Sequence, residues 1–177
     1  MNHALVGAIR ITMLFADTSK TFGIDLDADP VNVPLGYEVV EHLKGGVLAW
    51  NPKRPAIELY LTPGQRKGVI HGEKVFEELG AYDGIPVNAN ALDYFITNLP
   101  HKSWIIPADW RKSDLHTTKY ILFWGTRYLF EGGLCVRSLC WSADARVQGW
   151  RSGYCWIDHQ LNSQYPAAMI RKPGARS

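Results

Sequence analysis

The sequence predicts an α+β fold, in which an antiparallel sheet closed by a C-terminal three-stranded β-meander packs against two or three short helices. Two observations carry this. Residues 119–158 hold three β-rich runs, 119–130, 134–141 and 149–158, separated by Glu131-Gly132-Gly133 and by 142–148. The middle of the chain holds short capped segments at helical spacing instead. With 177 residues and 46% hydrophobic side chains, the chain is long enough for one proper core. We expect a single domain over 1–170 and a disordered basic tail over 171–177.

In chain order, residues 5–15 read as a first strand and 17–36 as a loop punctuated by Gly23, Pro30 and Pro34. Residues 37–43 and 47–50 are expected to form a hairpin through Lys44-Gly45-Gly46, since Gly-Gly supplies positive φ. A strand follows at 57–61. Thr62-Pro63 is an N-cap with proline at N1, opening one turn before Gly68. Residues 73–79 form a helix stopped by Gly80 at C′. Asn90 is expected to cap a helix over 91–98, whose Leu92, Phe95 and Ile96 share one face. Pro107 begins a further turn through Trp110.

In the meander, pairing Phe130 with Leu134 sets Tyr128 opposite Val136, Thr126 opposite Ser138 and Trp124 opposite Cys140. Trp124 then lies mid-sheet and buried. Trp150, Tyr154 and Trp156 are expected on its side, and Trp141 on the other with Arg127 and Arg137. That register opposes Arg127 to Arg137, so an internal acid (Glu131, Glu77, Glu78 or Asp93) or an external anion must offset them. Residues 1–100 carry 8 Lys/Arg against 12 Asp/Glu, and 101–177 carry 11 against 5. The acidic part makes an internal partner the expected one.

Metal and catalytic patterns are thin. Cys135, Cys140, Cys155 and His159 have ligand-type side chains, but strand alternation sends Cys135 and Cys140 to opposite faces, so free thiols and no metal are expected. Asp25-x-Asp27-x-Asp29 begins like a calcium loop, yet Pro30 and Gly36 stand where glycine and the bidentate glutamate belong. No phosphate loop, dinucleotide fingerprint, nucleophile elbow or HExxH occurs, and no cofactor is expected. The apolar start lacks a basic leader region, and the odd cysteine count fits a reducing compartment, so the expected location is cytoplasmic, without a membrane.

Asn88-Ala89-Asn90-Ala91-Leu92-Asp93-Tyr94, Phe123-Trp124-Gly125-Thr126-Arg127-Tyr128 and Val136-Arg137-Ser138-Leu139-Cys140-Trp141 resemble a family of short bacterial, phage-associated proteins without assigned activity. The likeness runs over roughly 36–170 and implies one domain, but no reaction or ligand.

Trp, Tyr and Arg are the side chains enriched at interface hot spots. The expected function is therefore non-catalytic binding of a macromolecular partner, a protein first, through Arg127, Arg137, Arg151, Trp141, Trp150, Tyr154 and Trp156. Single-stranded nucleic acid on the same sheet is the alternative, because bases stack on such aromatics beside a basic groove. A small enzyme with an unfamiliar site is the third reading.

Overall fold

The computed structural model describes residues 21–99, 104–111, 118–144, 146 and 148–171. In chain order these form β1 (Phe22–Asp25), β2 (Glu38–His42), β3 (Val47–Trp50), β4 (Ile57–Tyr60), α1 (Pro63–Lys67), β5 (Ile70–His71), α2 (Gly72–Gly80), β6 (Gly84–Pro86), α3 (Ala89–Asn98), a 3-10 turn (Ala108–Arg111), β7 (Tyr120–Phe130), β8 (Gly133–Ser142), β9 (Gly149–Trp156), β10 (Gln160–Leu161) and β11 (Ala167–Arg171). The fold is α+β. The expected strand over 5–15 lies outside the described residues, as does the tail beyond Arg171.

The main sheet runs β4-β11-β7-β8-β9, with β6 also on β11 and β2 also on β7. Among the described strands, only the β11–β7 contact is parallel. Both faces of its centre are covered. On one face α3, β1 and β3 enclose Ile121, Phe123, Leu139 and Ala168 with Trp50, Leu92 and Phe95. On the other, Val75 and Leu79 of α2 cover Leu122, Trp124, Val136, Ala167 and Met169. Burial on both faces is why Ile121-Leu122-Phe123-Trp124 shows no polar alternation. Trp124 is fully buried, as its mid-sheet position requires.

The meander strands, β4, the Thr62 cap and the turn at 108–111 agree with the sequence reading. Thr62 and Gln65 close a capping box at α1. Several expectations need correction. β2 and β3 do not form a hairpin; β2 pairs with β7 and β3 with β1. The loop expected at 17–36 contains β1 itself. Asp27 explains the crossover, since its Oδ1 accepts from Gly45 N at 3.1 Å and Gly46 N at 2.8 Å and so ties 43–46 to the end of β1. Gly80 is the last residue of α2 and not a left-handed C′, because Ala81 caps in the right-handed region. Asn88, not Asn90, caps α3. Arg171, assigned to the tail, belongs to β11 and meets Glu58 at 2.6 Å.

The register of the meander also differs. Its turn has two residues, Glu131 and Gly132, with φ 48° and 82°, as tight hairpins favour. This pairs Phe130 with Gly133, Tyr128 with Cys135 and Arg127 with Val136. Residues 124–126 are then extra, and Phe123 faces Arg137 while Tyr120 faces Cys140. The two arginines are never opposed. The β8–β9 register pairs Trp150 with Trp141, Tyr154 with Arg137 and Trp156 with Cys135, which sets these three aromatics on the face away from Trp124, where they pack near α3.

The irregularity has a structural reason at Gly125. A Cβ there would lie 2.5 Å from Pro86 O and 2.7 Å from Asn88 N. Gly125 N–H donates to Val87 O at 3.0 Å, and Gly125 O accepts from Leu43 N at 2.7 Å. The start of α3 thus rests directly on β7 backbone, closer than any side chain permits. Gly125→Ala should cost about 1–3 kcal/mol, as overpacking does, read as a lower urea midpoint. An unchanged midpoint would mean that this contact is loose in solution.

Candidate functional site

The start of α3 is a junction of backbone and side-chain bonds. Asn88 Oδ1 accepts from Asn90 N at 3.2 Å, while its Nδ2 donates to Leu26 O at 2.7 Å and Leu43 O at 2.9 Å. Thr126 Oγ1 accepts from Ala89 N at 2.9 Å. Its hydroxyl proton is therefore directed to His42 Nδ1, 2.8 Å away, and His42 Nε2–H donates to Ala28 O at 3.1 Å. This network assigns the neutral Nε2–H tautomer. Burial pushes the His42 pKa down. Asn90 Nδ2 donates to Asp25 O at 3.2 Å and Ala28 O at 2.8 Å, fixing the chain after β1 against the helix.

Between β1 and α3 lies a cavity of about 290 Å³. Ile24, Val31 and Tyr94 form apolar wall, and Asp25, Asn90 and Asp93 contribute oxygen. Asn90 and Asp93 are three residues apart on α3 and share a face. Each is 8% exposed. Asp93 Oδ1 accepts from Arg137 Nη1 of β8, and this pair is buried on both sides. Asp93 Oδ2 and Asn90 Oδ1 have no hydrogen-bond partner among the described residues. Nor do Arg137 Nε and the hydroxyl of Tyr128. Burial pushes the Tyr128 phenol up to about 12, and the nearby Arg137 guanidinium opposes this only in part. A buried polar atom left unpaired costs about 1–3 kcal/mol, so unmet acceptors at a cavity are a place for a ligand.

A larger cleft of about 650 Å³ lies by β4, α2 and β11. Here the polar groups answer one another. Glu58 takes Arg171 Nη2 at 2.6 Å and the Tyr82 hydroxyl, Tyr82 stacks on Tyr60 at 4.0 Å, and Glu78 accepts from Gly64 N at 2.9 Å. The Thr62 hydroxyl and then Gly64 hold the Glu78 carboxyl below the usual range. That is the opposite of what a general acid needs.

The seven residues expected to bind are dispersed. Arg137 is buried on Asp93. Arg127 meets Glu41 at 2.6 Å and lies over the Phe76 ring at 4.3 Å. Asp93 was among the anticipated acids; Glu41 comes from a strand pairing that the sequence did not suggest. Trp141 and Trp150 meet edge to face at 5.5 Å, with Arg111 over Trp141 at 4.1 Å. Tyr154 and Trp156 sit at the other end, against Tyr37 and Phe130. Arg151 is exposed, opposite Cys140. Cys135 and Cys155 are free thiols pushed up to about 11 by burial, hence poor nucleophiles at neutral pH. Among the described residues, no group of three or more His, Cys, Asp or Glu stands together to hold a metal ion, and no helix is long and apolar enough to cross a membrane.

Sequence reasoning missed Asn88, Thr126 and His42, which are separated by up to 84 positions. The spacing of Asn90 and Asp93 was the one available signal.

Removing one member of a buried ion pair costs about 3–5 kcal/mol because the other charge is stranded. Arg137→Ala should show that loss in urea denaturation, and Arg137→Met with Asp93→Leu should recover much of it. If Arg137→Ala were as stable as wild type, the pair would not be formed in solution. His42 gives a pH signature. Its folded pKa lies below the unfolded value of about 6.5, so its contribution is full above that pH and is lost as pH falls through the window beneath it. The wild-type midpoint should fall more steeply than that of His42→Gln between neutral and mildly acidic pH; parallel curves would refute the assignment.

Comparison with protein families, curated proteins and solved structures finds no match for the chain, and its function is therefore argued from this geometry.

Proposed function

We propose that the protein is a non-catalytic binding module that docks an extended segment of a protein partner along residues 31–40. The exposed apolar run carries the reading. Val31 is 79% exposed and Leu35 101%, with Val33 and Val40 also exposed. Half of the large hydrophobics exposed among the described residues fall in this ten-residue run, and such a concentration is the mark of an interaction surface.

The run has a firm base. Tyr37 N–H donates to Pro34 O at 3.1 Å, and the Tyr37 ring stacks on Phe130 at 4.2 Å and 7°. Phe130 in turn packs near Trp156, and Tyr37 near Tyr154 at 4.5 Å. The expected binding aromatics thus act as buttress, while the aliphatics in front of them meet the partner. Preorganisation of this kind lowers the ordering cost of docking. Among the described residues, β2 pairs with β7 alone. Its second edge suits strand addition, in which main-chain bonds give affinity and alternate side chains give specificity. A nucleic-acid platform draws less support, because Arg127 and Arg137 are engaged with Glu41 and Asp93.

Panning a random-peptide library on the immobilised protein tests the proposal. Apolar, extended sequences should be enriched. They should bind Val31→Glu/Leu35→Glu at least about tenfold more weakly, a difference of about 1.4 kcal/mol. Stability should stay within about 0.5 kcal/mol, as for exposed positions generally. Equal binding by wild type and variant would overturn the reading, as would tight, steeply salt-dependent binding of a mixed-sequence single-stranded oligonucleotide.

A further inference from the structure

The docking strip begins at Val31, which is also a wall of the cavity between β1 and α3. We infer that this cavity accepts a guanidinium, the side chain of an arginine in the docked segment. The inference rests on the docking reading for the source of the arginine, but the chemistry of the cavity stands on separate observations.

The first is the pair of unmet acceptors. Asn90 spends both amide protons on Asp25 O and Ala28 O, so its Oδ1 can only accept, and no described residue donates to it. Asp93 gives one oxygen to Arg137 and leaves the other unmet. Both residues are more than nine-tenths buried and both line the cavity. A ligand that answers them must bring at least two donors.

Charge narrows the choice. Among the described residues, Asp25 and Asp93 line the cavity, no Lys or Arg does, and Arg137 offsets only one of the two carboxylates. A cation is therefore favoured over a neutral amide. A divalent metal is disfavoured, because calcium takes six to eight oxygen ligands and, among the described residues, no group of three or more His, Cys, Asp or Glu stands together here. Between the two cationic side chains, guanidinium fits better. It presents several donors in a plane, is less strongly hydrated than ammonium, and stacks on aromatic rings such as Tyr94. The volume of about 290 Å³ sits at the low end for ligand pockets and suits one side chain better than a cofactor.

The probes are N-acetyl-arginine methylamide and its neutral isostere N-acetyl-citrulline methylamide, titrated into the full chain and followed through the amide resonances of Tyr94 and Thr97. The arginine probe should shift both saturably at millimolar concentration, with citrulline at least about tenfold weaker, the worth of one charge-assisted contact. Thr97→Trp changes an exposed rim residue without touching the buried pair, and it should abolish the shifts. Leu35→Glu lies outside the cavity and should leave them intact. Equal shifts from the two probes, or none from either, would overturn the inference while leaving the docking strip to its own test. Peptides selected on the strip provide a second arm: replacing their arginine by citrulline should weaken binding at least about tenfold, and peptides without any arginine that bind equally well would count against the inference.

Discussion

The first turn of α3 rests on bare backbone of β7, and the arrangement of the rest follows from that contact. Only glycine at 125 leaves room for Pro86 O and Asn88 N at such short range. Once the helix starts there, Asn88 lies within reach of Leu26 and Leu43, and Thr126 within reach of Ala89. Three chain segments far apart in sequence are thereby fastened to one helical turn. The same contact requires β7 to leave regular pairing over 124–126. Arg137, opposite Phe123 just beyond that irregularity, lies on the face towards α3, where Asp93 receives it one turn beyond the cap. Fold and candidate site thus share one origin.

Much of this was legible in the sequence, and the failures share a cause. The meander strands, β4 and the Thr62 cap depend on local signals: β-branched and aromatic runs, a Thr-Pro pair, glycine turns. Non-local bonds decided the misread elements. Gly45-Gly46 looks like a hairpin turn, but Asp27, 18 and 19 positions earlier, takes both amides. The Asp-x-Asp-x-Asp run looked like a failed calcium loop; its carboxylates instead hold Asp27 N, the Gly45-Gly46 amides and Lys44. In the meander, an ambiguity between two-residue and three-residue turns moved the partners nearest the turn by one, and the extra residues 124–126 of β7 moved those beyond by four. The β8–β9 register, which sets even-numbered residues of β9 opposite odd-numbered ones of β8, reversed the expected side of the β9 aromatics. Of the candidate site, only the i, i+3 pair Asn90 and Asp93 stood in one stretch of sequence. The Val31–Val40 run was read as loop and early strand, with no sign that its apolar side chains stay outside.

The two cavities show why size alone is a poor guide to a binding site. The larger cleft is rich in charge, but each ionic group there faces a partner within the protein: Glu58 with Arg171 and Tyr82, Glu78 with Gly64. A ligand entering it would have to compete with those bonds, exchanging one set of contacts for another at little net gain. The smaller cavity has a more apolar surface, and two of its polar residues, Asn90 and Asp93, carry oxygens that no described residue answers. There a donor forms a bond without breaking one.

The strip and the cavity also share a stretch of chain. Asn90 holds Asp25 and Ala28 through their carbonyls, and the same stretch of chain leads directly into Val31. At the other end, Tyr37 is clamped between Phe130 and Tyr154. An exposed apolar segment free at both ends would collapse onto the nearest greasy surface or cost much conformational entropy to order on binding. Here it is anchored on one side by hydrogen bonds to a helix and on the other by a stacked aromatic corner. The aliphatic side chains between these anchors are held outward, and that geometry favours a partner over self-burial.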